Sequence, residues 1–485
     1  ALKAKTTGQA QPPSAALLKR EETRGPLDAP AAVASRKEAV LLLQRKEEEI
    51  DEDSTAYTTN LKMPFERDGE EGYLKFGLFG DGVTRKFDQE SFSNFGDAGA
   101  NYEGGWDDSW SDVWGSEDHP ITESLYDVDY RGSLDISALY AMAEVPLSSE
   151  MNVVGGLRFE STGIDIVNTP EALSLWYPPG SSAPVELNAG DADVDFSQDD
   201  VLPSIGLNYE PQEDLTLRFS YGSTIARQTF KELSPIIFQE YLGGPIFIGN
   251  PSLGMSNVRN IDLRADYRPY DGGFLSASFF LKDMKDPIEY VQRLGDFSYT
   301  TAVNYPKGRL NGLELEARHD LGHYWGKAEG LSLGVNATLI DSVVTLSPEE
   351  AAQFELPNIQ APMTEREMTN APEHLFNLYL TYEVPDTETE VALYYNLQGD
   401  TLVAGAGQSN GNFVPSIYAL EYGTLNLSVS QKLGEYFTLR VQAKNLSNPE
   451  IDQVYRSRYI GDDVLHTRYT RGVDYSITFG AKLSF

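Results

Sequence analysis

The last thirteen residues constrain the fold more than any other segment of the chain. From residue 473 to 485 apolar and polar or small side chains alternate strictly. The odd positions are Val473, Tyr475, Ile477, Phe479, Ala481, Leu483 and Phe485. Successive side chains of a β-strand point to opposite faces, so the pattern predicts a strand with one apolar and one polar face. Its length fits a tilted strand that crosses a bilayer, which needs about 9–11 residues.

The same alternation recurs along the chain, at 215–221, 275–281, 376–382, 425–429 and 439–443. A soluble β-sandwich also alternates, but its strands average about 5–6 residues and its turns are evenly spaced. Here the strands are long, and short connections alternate with long ones. We therefore predict an all-β fold, a transmembrane antiparallel up-and-down β-barrel over residues 55–485.

The connections predict an orientation. Short turns are expected at 64–72, 146–151, 210–215, 269–273, 385–390 and 433–437, and long segments near 88–128, 169–196, 234–256, 347–371 and 407–423. Outer-membrane barrels place short turns in the periplasm and long loops outside. The chain is thus expected in a Gram-negative outer membrane, with extracellular loops and a periplasmic C-terminus.

The strand count raises the question of closure. The pattern gives about fifteen strands, the first near Ser54–Phe65. An odd number cannot close when the chain starts outside and ends inside, and lipid cannot satisfy an open sheet edge. We expect the C-terminal part of a plugged, roughly 22-stranded barrel. The alternatives are a miscount by one strand or a smaller barrel in which the first strand pairs with the last.

Residues 1–54 do not have the strand pattern. They are predicted to be an irregular N-terminal segment with a short helix near 35–49, where Ser35 and Glu38 could form a capping box. A surface helix or tail is the favoured interpretation, and no function is assigned to it.

Composition excludes several classes of protein. A net charge of −36 argues against nucleic-acid binding, which needs basic patches. The absence of cysteine excludes disulfides, thiolate catalysis and cysteine-ligated metals. The sequence has no apolar run long enough for a transmembrane helix, which needs about 18 residues. The mean hydropathy of −0.37 suggests a soluble protein, but a barrel with a polar lumen has the same average.

Several stretches, taken in order, resemble TonB-dependent receptors of the outer membrane. They are STIARQTFKELSP at Ser223–Pro235, the segment Gly249–Tyr290, NYPKGRLNGLELEA at Asn304–Ala317, AKNLSNPEI at Ala443–Ile451 and the terminal aromatic residue. The residues that match the family's motifs are Arg227, Gly249, Asn250, Pro251, Asp262, Gly312, Glu314, Asn445, Leu446 and Phe485. Gln228 departs from the usual proline, and Asp266 replaces a common glutamate.

The resemblance, which covers about residues 57–485, implies energised uptake. Such a receptor captures a bulky, scarce solute, such as an iron–siderophore complex or a glycan, at its extracellular loops. The TonB complex, acting through a plug and a TonB box, then drives import. Neither plug nor box is recognised in this sequence. The other implied partners are outer-membrane lipid and the barrel-assembly machinery, which reads a terminal aromatic such as Phe485. The alternatives are a passive porin and an outer-membrane barrel enzyme or adhesin.

Aromatic residues in two long segments are candidates for ligand contact. The first segment carries tryptophans at a spacing of four among aspartates, and the second is rich in aromatic residues. The candidates are Tyr102, Trp106, Trp110, Trp114, Phe238, Tyr241 and Phe247. Stacking on a ligand is one interpretation; an interface belt or packing within a large loop is the other.

The acidic segment DADVDFSQDD is a candidate calcium site. Asp191, Asp193 and Asp195 alternate as in part of a calcium loop. The turn glycine and the closing glutamate of an EF-hand are missing, so a solvated acidic loop is favoured and no cofactor is predicted. His319 and His323 have a metal-ligand spacing, but a turn at the barrel rim is the preferred interpretation. No residue set predicts catalysis, and we expect no enzyme.

Overall fold

The computed structural model describes residues 44–93, 122–123, 127–171, 174–181, 183–239, 245–295, 297–384, 387–409, 411–434 and 436–481. Within these ranges fifteen long strands form one antiparallel sheet. They are β1 Gln44–Arg67, β2 Glu70–Ser93, β3 Val128–Ser148, β4 Met151–Pro170, β5 Val194–Gln212, β6 Leu215–Ala226, β7 Ser256–Tyr267, β8 Phe274–Lys285, β9 Lys307–Asp320, β10 Leu331–Thr345, β11 His374–Val384, β12 Thr389–Gln398, β13 Tyr422–Leu433, β14 Phe437–Lys444 and β15 Asp474–Ala481.

Each strand pairs with the next one in the sequence, from β1 to β15. This order is the predicted up-and-down antiparallel topology. The strands Thr122–Glu123 and Glu365–Arg366 add short pairings to β2 and β10. Among the described residues, no backbone ladder joins β1 to β15.

The sheet has one apolar and one polar face. Exposed apolar side chains of neighbouring strands lie directly opposite one another, so they form a continuous band across the sheet. One row of this band is Phe219, Leu263, Phe279, Leu313 and Leu339. The alternation predicted for the last strand is confirmed for Tyr475, Ile477 and Phe479, which are exposed on this apolar face. Leu483 and Phe485 lie outside the described residues.

The two ends of the sheet differ, as the connection lengths predict. At the short-turn end, residues 68–69, 149–150, 213–214, 268–273, 321–330, 385–388 and 434–436 join the strands. At the long-loop end, the connections are 94–127, 171–193, 227–255, 286–306, 346–373, 399–421 and 445–473. The turn at 321–330 is the longest at its end and contains two 3-10 helices, Leu321–His323 and Gly326–Ala328.

The expected boundary at residue 54 is wrong. Strand β1 begins at Gln44, and residues 44–54 pair in register with residues 83–93 of β2. The segment that was expected to be helical near 35–49 is therefore strand from Gln44 onwards. Its glutamates favour a helix locally, but the long β2 supplies a complete row of backbone hydrogen-bond partners, and tertiary pairing overrides local propensity. Ser35 and Glu38 lie outside the described residues.

The long loops have secondary structure of their own. Two α-helices occur among the described residues, α1 Phe230–Leu233 and α2 Pro348–Phe354. The remaining strands are Leu175–Trp176, Val185–Glu186, Ile237–Gln239, Ile246–Ile248, Ile288–Leu294, Ser298–Asn304, Thr401–Ala404, Gly407–Ser409, Asn412–Val414, Ser416–Ala419, Ile451–Arg456 and Val464–Tyr469. No helix in the described ranges has the length and apolar character needed to cross a membrane.

Among the described residues, two main hydrophobic clusters lie at the long-loop end of the sheet. One cluster joins the outer parts of β2 to β5 to the loop 227–255, through Phe87, Tyr130, Ile166 and Leu233. A second cluster joins the loops 286–306, 346–373 and 399–421, and Phe354 lies at its centre. The loops 227–255, 286–306, 346–373 and 399–421 are thus packed against one another or onto the sheet.

Candidate functional site at the long-loop end

The strands Ile288–Leu294 and Ser298–Asn304 form a hairpin, here called the central hairpin, which connects the long loops. On one side it meets the loop 227–255. The Asn304 amide donates to the Gly254 carbonyl at 3.0 Å, and its oxygen accepts the Gly254 N–H at 2.7 Å. The Asn250 amide donates to the Ala302 carbonyl at 2.9 Å. Strand Ile246–Ile248 pairs with Ser298–Asn304 in parallel.

On its other side the central hairpin meets two further loops. The Gln292 N–H donates to the Gly405 carbonyl at 2.9 Å, and the Gly405 N–H donates to the Tyr290 carbonyl at 2.8 Å. The Thr369 N–H donates to Glu289 Oε2 at 2.8 Å. Backbone and side-chain hydrogen bonds therefore run from the loop 227–255 through the hairpin to 346–373 and 399–421. Loops joined in this way are expected to move as one unit.

Glu289 is the buried carboxyl group in this connection. Its side chain is 1% exposed and lies between the central hairpin and the loop 346–373. Burial raises its pKa to about 7, although the Thr369 hydrogen bonds and the nearby Arg366 act in the opposite direction. The carboxyl group therefore changes protonation near neutral pH.

Helix α1 is fixed by its cap. The Thr229 hydroxyl accepts the Glu232 N–H at 3.2 Å, and the Glu232 carboxylate accepts the Thr229 N–H at 2.7 Å, which completes a capping box. The second carboxylate oxygen of Glu232 accepts the Tyr290 hydroxyl at 2.8 Å. The cap therefore also connects α1 to the central hairpin.

The polar face of the sheet carries a ladder of asparagine side chains. Each member donates to the one before it: Asn377 to Asn336 at 2.5 Å, Asn396 to Asn377, Asn426 to Asn396 at 2.9 Å, and the Asn445 N–H to Asn426 at 2.9 Å. The ladder crosses β10 to β14. Because every amide has a lateral partner, it fixes these side chains in place on the polar face.

The model of the TonB-dependent receptor-like β-barrel family matches residues 42–446, most of this sheet and its loops. The chain belongs to the TonB-dependent receptor family. Receptors of this family are outer-membrane proteins. No curated protein matches the chain in sequence.

Solved structures show the same fold. The ferric yersiniabactin uptake receptor FyuA from Yersinia pestis is 15% identical, with a TM-score of 0.53 over 91% of this chain and 56% of its own. The siderophore receptor PiuA from Acinetobacter baumannii is 13% identical, with a TM-score of 0.52 over 89% and 56%. The copper transporter OprC is 12% identical, with a TM-score of 0.54 over 90% and 58%. This chain thus spans a little over half the length of these proteins.

The family motifs of this receptor have structural roles in the long loops. The Arg227 guanidinium bonds to the buried Glu160 and, at 3.1 Å, to the Thr162 hydroxyl, which ties the end of β6 to β4. Gln228, which stands where proline is usual, donates to the Leu253 carbonyl at 2.6 Å. Proline could not make that contact, so the departure adds a hydrogen bond between the two motif segments.

Gly249 and Asn250, at the start of the motif segment Gly249–Tyr290, pack against helix α1. A Cβ atom on Gly249 would lie 2.0 Å from the Ser234 carbonyl oxygen, so only glycine fits. The Asn250 N–H donates to the Glu232 carbonyl at 2.6 Å, and Pro251 begins the turn that follows.

The motif residues that belong to strands of the sheet lie on its polar face. Asp262 accepts the Ser220 hydroxyl at 3.2 Å. Gly312 leaves room for the Phe280 ring, which would lie 2.4 Å from an added Cβ atom. Glu314 is exposed on the same face as Asp262, directly opposite Ser278 and Thr338.

Asn445 ends strand β14 with a left-handed backbone, at a φ of 57°. Its side chain donates to the Gly472 carbonyl at 2.6 Å, next to the start of β15. The Leu446 N–H donates to the Leu425 carbonyl at 2.7 Å. The asparagine–leucine signature therefore fixes where the last long loop leaves the sheet and where it returns.

Two of the predicted ligand-contact aromatics are described, and they lie together. Phe238 and Phe247 are directly opposite each other in a small antiparallel pairing. The Lys231 ammonium lies 3.6 Å from the Phe238 ring centroid and 5.1 Å from that of Phe247. The Phe247 ring also packs edge-on against Tyr290. Tyr102, Trp106, Trp110, Trp114 and Tyr241 lie outside the described residues.

The three aspartates of the predicted calcium candidate have separate contacts. Asp191 accepts the Asn188 N–H at 2.9 Å and its amide at 3.0 Å, and these bonds lower the pKa of Asp191. Asp193 accepts the Asn168 N–H at 2.8 Å. Asp195 lies in β5 opposite Asp165. Across the described ranges, no three His, Asp or Glu side chains are grouped so that they could share a metal ion.

The pentapeptide Gly407–Gly411 has the G-x-S-x-G spacing of serine hydrolases, which the sequence analysis did not use. That motif acts at a strand-to-helix turn. Here Gly407–Ser409 pairs with Asn412–Val414 in a β-hairpin. The geometry of a nucleophile elbow is therefore not formed by these residues.

Glu289, the central hairpin and the asparagine ladder were not predicted from the sequence. Asn377 and Asn426 occupied polar positions of predicted strands, which was a usable signal for the ladder. Nothing in the sequence indicated that Glu289 is buried, since its environment comes from loops distant in sequence.

Proposed function

We propose that this protein is an outer-membrane receptor that imports a bulky, scarce nutrient in an energy-dependent step coupled to TonB. The observation that carries the proposal is the family match over residues 42–446. The packed loops support it, because a receptor needs a preformed surface to bind a large solute before transport.

We propose that the long-loop end is extracellular and the apolar face contacts lipid. On the apolar face near the short-turn end, Tyr209, Tyr267 and Tyr382 are exposed, and Tyr436 follows in a turn. Tyrosine favours the boundary between lipid and water because its ring is apolar and its hydroxyl is polar. This row supports a periplasmic interface at the short turns.

The proposed ligand is an iron–siderophore complex, a glycan or a nutrient of similar size. The solved neighbours are named as a ferric yersiniabactin receptor, a siderophore receptor and a copper transporter. Their structural similarity supports a shared fold, whereas sequence identities of 12–15% do not support a shared ligand. A carbohydrate therefore remains part of the proposal. We also propose that TonB acts through a plug and a TonB box, and that the barrel-assembly machinery reads Phe485.

Solute uptake in matched cells tests the proposal. Cells that express the full-length receptor are compared with and without TonB, on labelled ferric siderophores and on oligosaccharides. We expect binding to the cells in both strains and accumulation only with TonB. Accumulation that is equal in the two strains would contradict energised transport and favour a passive channel.

The aromatic candidates give a sharper version of this test. Replacing Trp106, Trp110 and Trp114 with alanine should weaken binding, because each stacked ring contributes about 0.5–1.5 kcal/mol beyond its buried area. Trp325, in a short-turn connection, is the matched control, and Trp325→Ala should leave solute binding unchanged. If the triple variant binds like the wild type at equal barrel yield, these tryptophans have only a structural role.

A further inference from the structure

The polar face of the sheet has an uncharged part. In β10 to β13, residues 331–340, 375–382, 391–398 and 422–431 contain no aspartate, glutamate, lysine or arginine. The polar row of these strands consists of asparagine, glutamine, serine, threonine and tyrosine with a few small or aliphatic residues, and it is here called the amide wall. Its central members belong to the asparagine ladder: Asn336, Asn377, Asn396 and Asn426.

The polar face of β4 to β9 is charged instead. In β4 the Arg158 Nε donates to the Glu160 carboxylate at 2.6 Å, and in β7 the Arg264 Nε donates to Asp266 at 2.8 Å. The Arg264 guanidinium also lies 3.9 Å from the Glu316 carboxylate in β9. These charges are fixed by one another in ion pairs. The two parts of the polar face therefore present different chemistry to a solute.

The asparagine ladder does not use all the hydrogen-bonding capacity of its amides. A side-chain amide has two N–H donors and an oxygen atom with two lone pairs. Asn377 and Asn396 each use one N–H and one lone pair on their neighbours in the ladder. The ladder leaves the second N–H and the second lone pair of each amide for another partner. Because neighbouring strands are about 4.8 Å apart, this capacity recurs at that interval across the amide wall.

Two tyrosine rings adjoin the ladder on the same face. Tyr379 and Tyr394 lie directly opposite each other, two residues from Asn377 and Asn396, and their ring centroids are 6.1 Å apart. Tyr394 is 37% exposed and also lies opposite Asn426 of β13. A tyrosine ring offers an apolar surface beside a polar hydroxyl. The amide wall therefore combines uncharged donors, uncharged acceptors and aromatic rings.

We propose that the amide wall is the surface along which the solute crosses the receptor, and that this solute is an uncharged, hydroxyl-rich molecule such as a neutral oligosaccharide. A sugar hydroxyl both donates and accepts hydrogen bonds, as a side-chain amide does, and the C–H face of a sugar ring can pack on tyrosine. The groups that line a path set its selectivity. A charged chelate would lose hydration beside a wall without counter-charges, which is unfavourable.

This inference rests on the proposed uptake function and narrows its solute to one chemical class. Equivalent amides on successive strands let a hydroxyl exchange one partner for the next at a similar free energy, which suits movement along the wall. The alternative role of the ladder is to fix the register of four strands without contact with the solute. The experiment below separates these two roles.

Removal of two amides from the wall tests the proposal. In the full-length receptor, Asn377→Leu and Asn396→Leu are combined, because leucine has a similar shape but no hydrogen-bonding group. Cells with equal amounts of folded receptor receive labelled neutral oligosaccharides of glucose, mannose, xylose or N-acetylglucosamine, or ferric citrate as a charged chelate. We expect TonB-dependent accumulation of a neutral oligosaccharide, about tenfold slower in the double variant because hydrogen bonds to the solute are lost. Binding of the oligosaccharide to cells that lack TonB should be unchanged.

Asn260→Leu is the matched control. Asn260 lies on the charged part of the polar face, where its side-chain oxygen accepts the Lys282 ammonium at 2.9 Å. This variant should accumulate the oligosaccharide at the wild-type rate. Equal slowing in the control and the double variant, or no slowing in the double variant, would overturn the proposal.

The probes also separate this inference from the uptake function. TonB-dependent accumulation of ferric citrate without any oligosaccharide would overturn the uncharged solute while the uptake function stands. Accumulation that does not depend on TonB, or no accumulation of any probe, would contradict the uptake function itself.

Single thiols give a second measurement if the double variant fails to fold. The 485 residues contain no cysteine, so Ser428→Cys places one thiol on the amide wall and Ser220→Cys places one on the charged part of the polar face. We expect the oligosaccharide, during transport, to slow the reaction of a small neutral maleimide with Ser428→Cys but not with Ser220→Cys. Slowing at Ser220→Cys alone would move the path to the charged part and overturn the proposal.

Discussion

At the scale of single residues, backbone contacts explain why the family motifs have glycine at Gly249 and asparagine at Asn445. Gly249 is required because another chain segment occupies the space of its Cβ atom. Asn445 is required because its left-handed backbone and its side-chain bond to Gly472 end one strand and position the next. Glycine and asparagine tolerate such conformations better than other residues. These motif residues therefore specify structure in the loops.

Replacing Gly249 with alanine should loosen the loop 227–255. The added carbon meets a backbone carbonyl that no rotamer change can move, and overpacking of this kind costs about 1–3 kcal/mol. We expect faster protease cleavage within the long loops of the purified receptor. Gly254→Ala is the matched control, because the nearest atom to its Cβ is 3.8 Å away. Equal cleavage of the two variants would show that the loop accommodates the clash.

At the scale of strands, each long strand of the sheet combines a row of exposed apolar side chains with a row of polar side chains. The asparagine ladder occupies the polar row of β10 to β14, and leucine, phenylalanine and tyrosine occupy the apolar row. A shift of register by one residue would exchange the two rows, so the amphipathic pattern fixes the pairing. The last strand follows the same rule.

Arginine substitutions on the two faces of β15 test which face contacts lipid. Ile477 is 75% exposed on the apolar face, and a charge there should cost about 2–4 kcal/mol near the membrane midplane. Ile477→Arg should therefore reduce the heat-modifiable, folded fraction in outer membranes. Ser476→Arg, on the polar face opposite Gln442, should assemble normally. Equal loss of folding in both variants would argue against a lipid-facing apolar row.

At the scale of the whole molecule, the described parts of four long loops, 227–255, 286–306, 346–373 and 399–421, are joined to one another at one end of the sheet. The central hairpin joins the loops 227–255, 346–373 and 399–421 through backbone and side-chain bonds. Glu289 lies at one of these joints. Burying a carboxylate anion costs free energy. The joined arrangement of the loops therefore favours the protonated form of Glu289.

The stability of the joined loops should depend on pH through Glu289. Its pKa is raised in the fold from 4.5 to about 7. The stabilisation is therefore fully present below pH 4.5 and is lost as the pH rises through 7. The difference is on the order of 3 kcal/mol. Wild-type loops should be cleaved faster by protease at pH 8 than at pH 5, after correction for the pH dependence of the protease.

Glu289→Gln should remove this pH dependence. The amide oxygen can still accept the Thr369 N–H, but the side chain cannot ionise. The variant should thus resist cleavage better than the wild type at pH 8 and similarly at pH 5. Glu365→Gln, at an exposed position in the same loop, should behave like the wild type. A wild-type pH profile in Glu289→Gln would assign the effect to another group.

Alternation is a local property of the chain, so six of the long strands and the faces of their side chains could be predicted from the sequence. These strands are β6, β8, β11, β13, β14 and β15. The start of β1 could not be predicted, because residues 44–54 have no apolar row and become strand only by pairing with β2. Local propensity has too little information where most side chains of a strand are polar and exposed.

The arrangement at the long-loop end depends on contacts between residues that are distant in the sequence. Glu289 and Thr369 are separated by 80 residues, and Asn250 and Ala302 by 52, so no local pattern could join them. The asparagines of the ladder were visible as polar positions, but their lateral bonds depend on the register of four strand pairs. The contact of His319 and His323 with Tyr270 was not predictable from their spacing of four, because the tyrosine comes from another turn. Alternation specifies which face a side chain occupies, whereas contacts between distant loops depend on how the whole sheet brings them together.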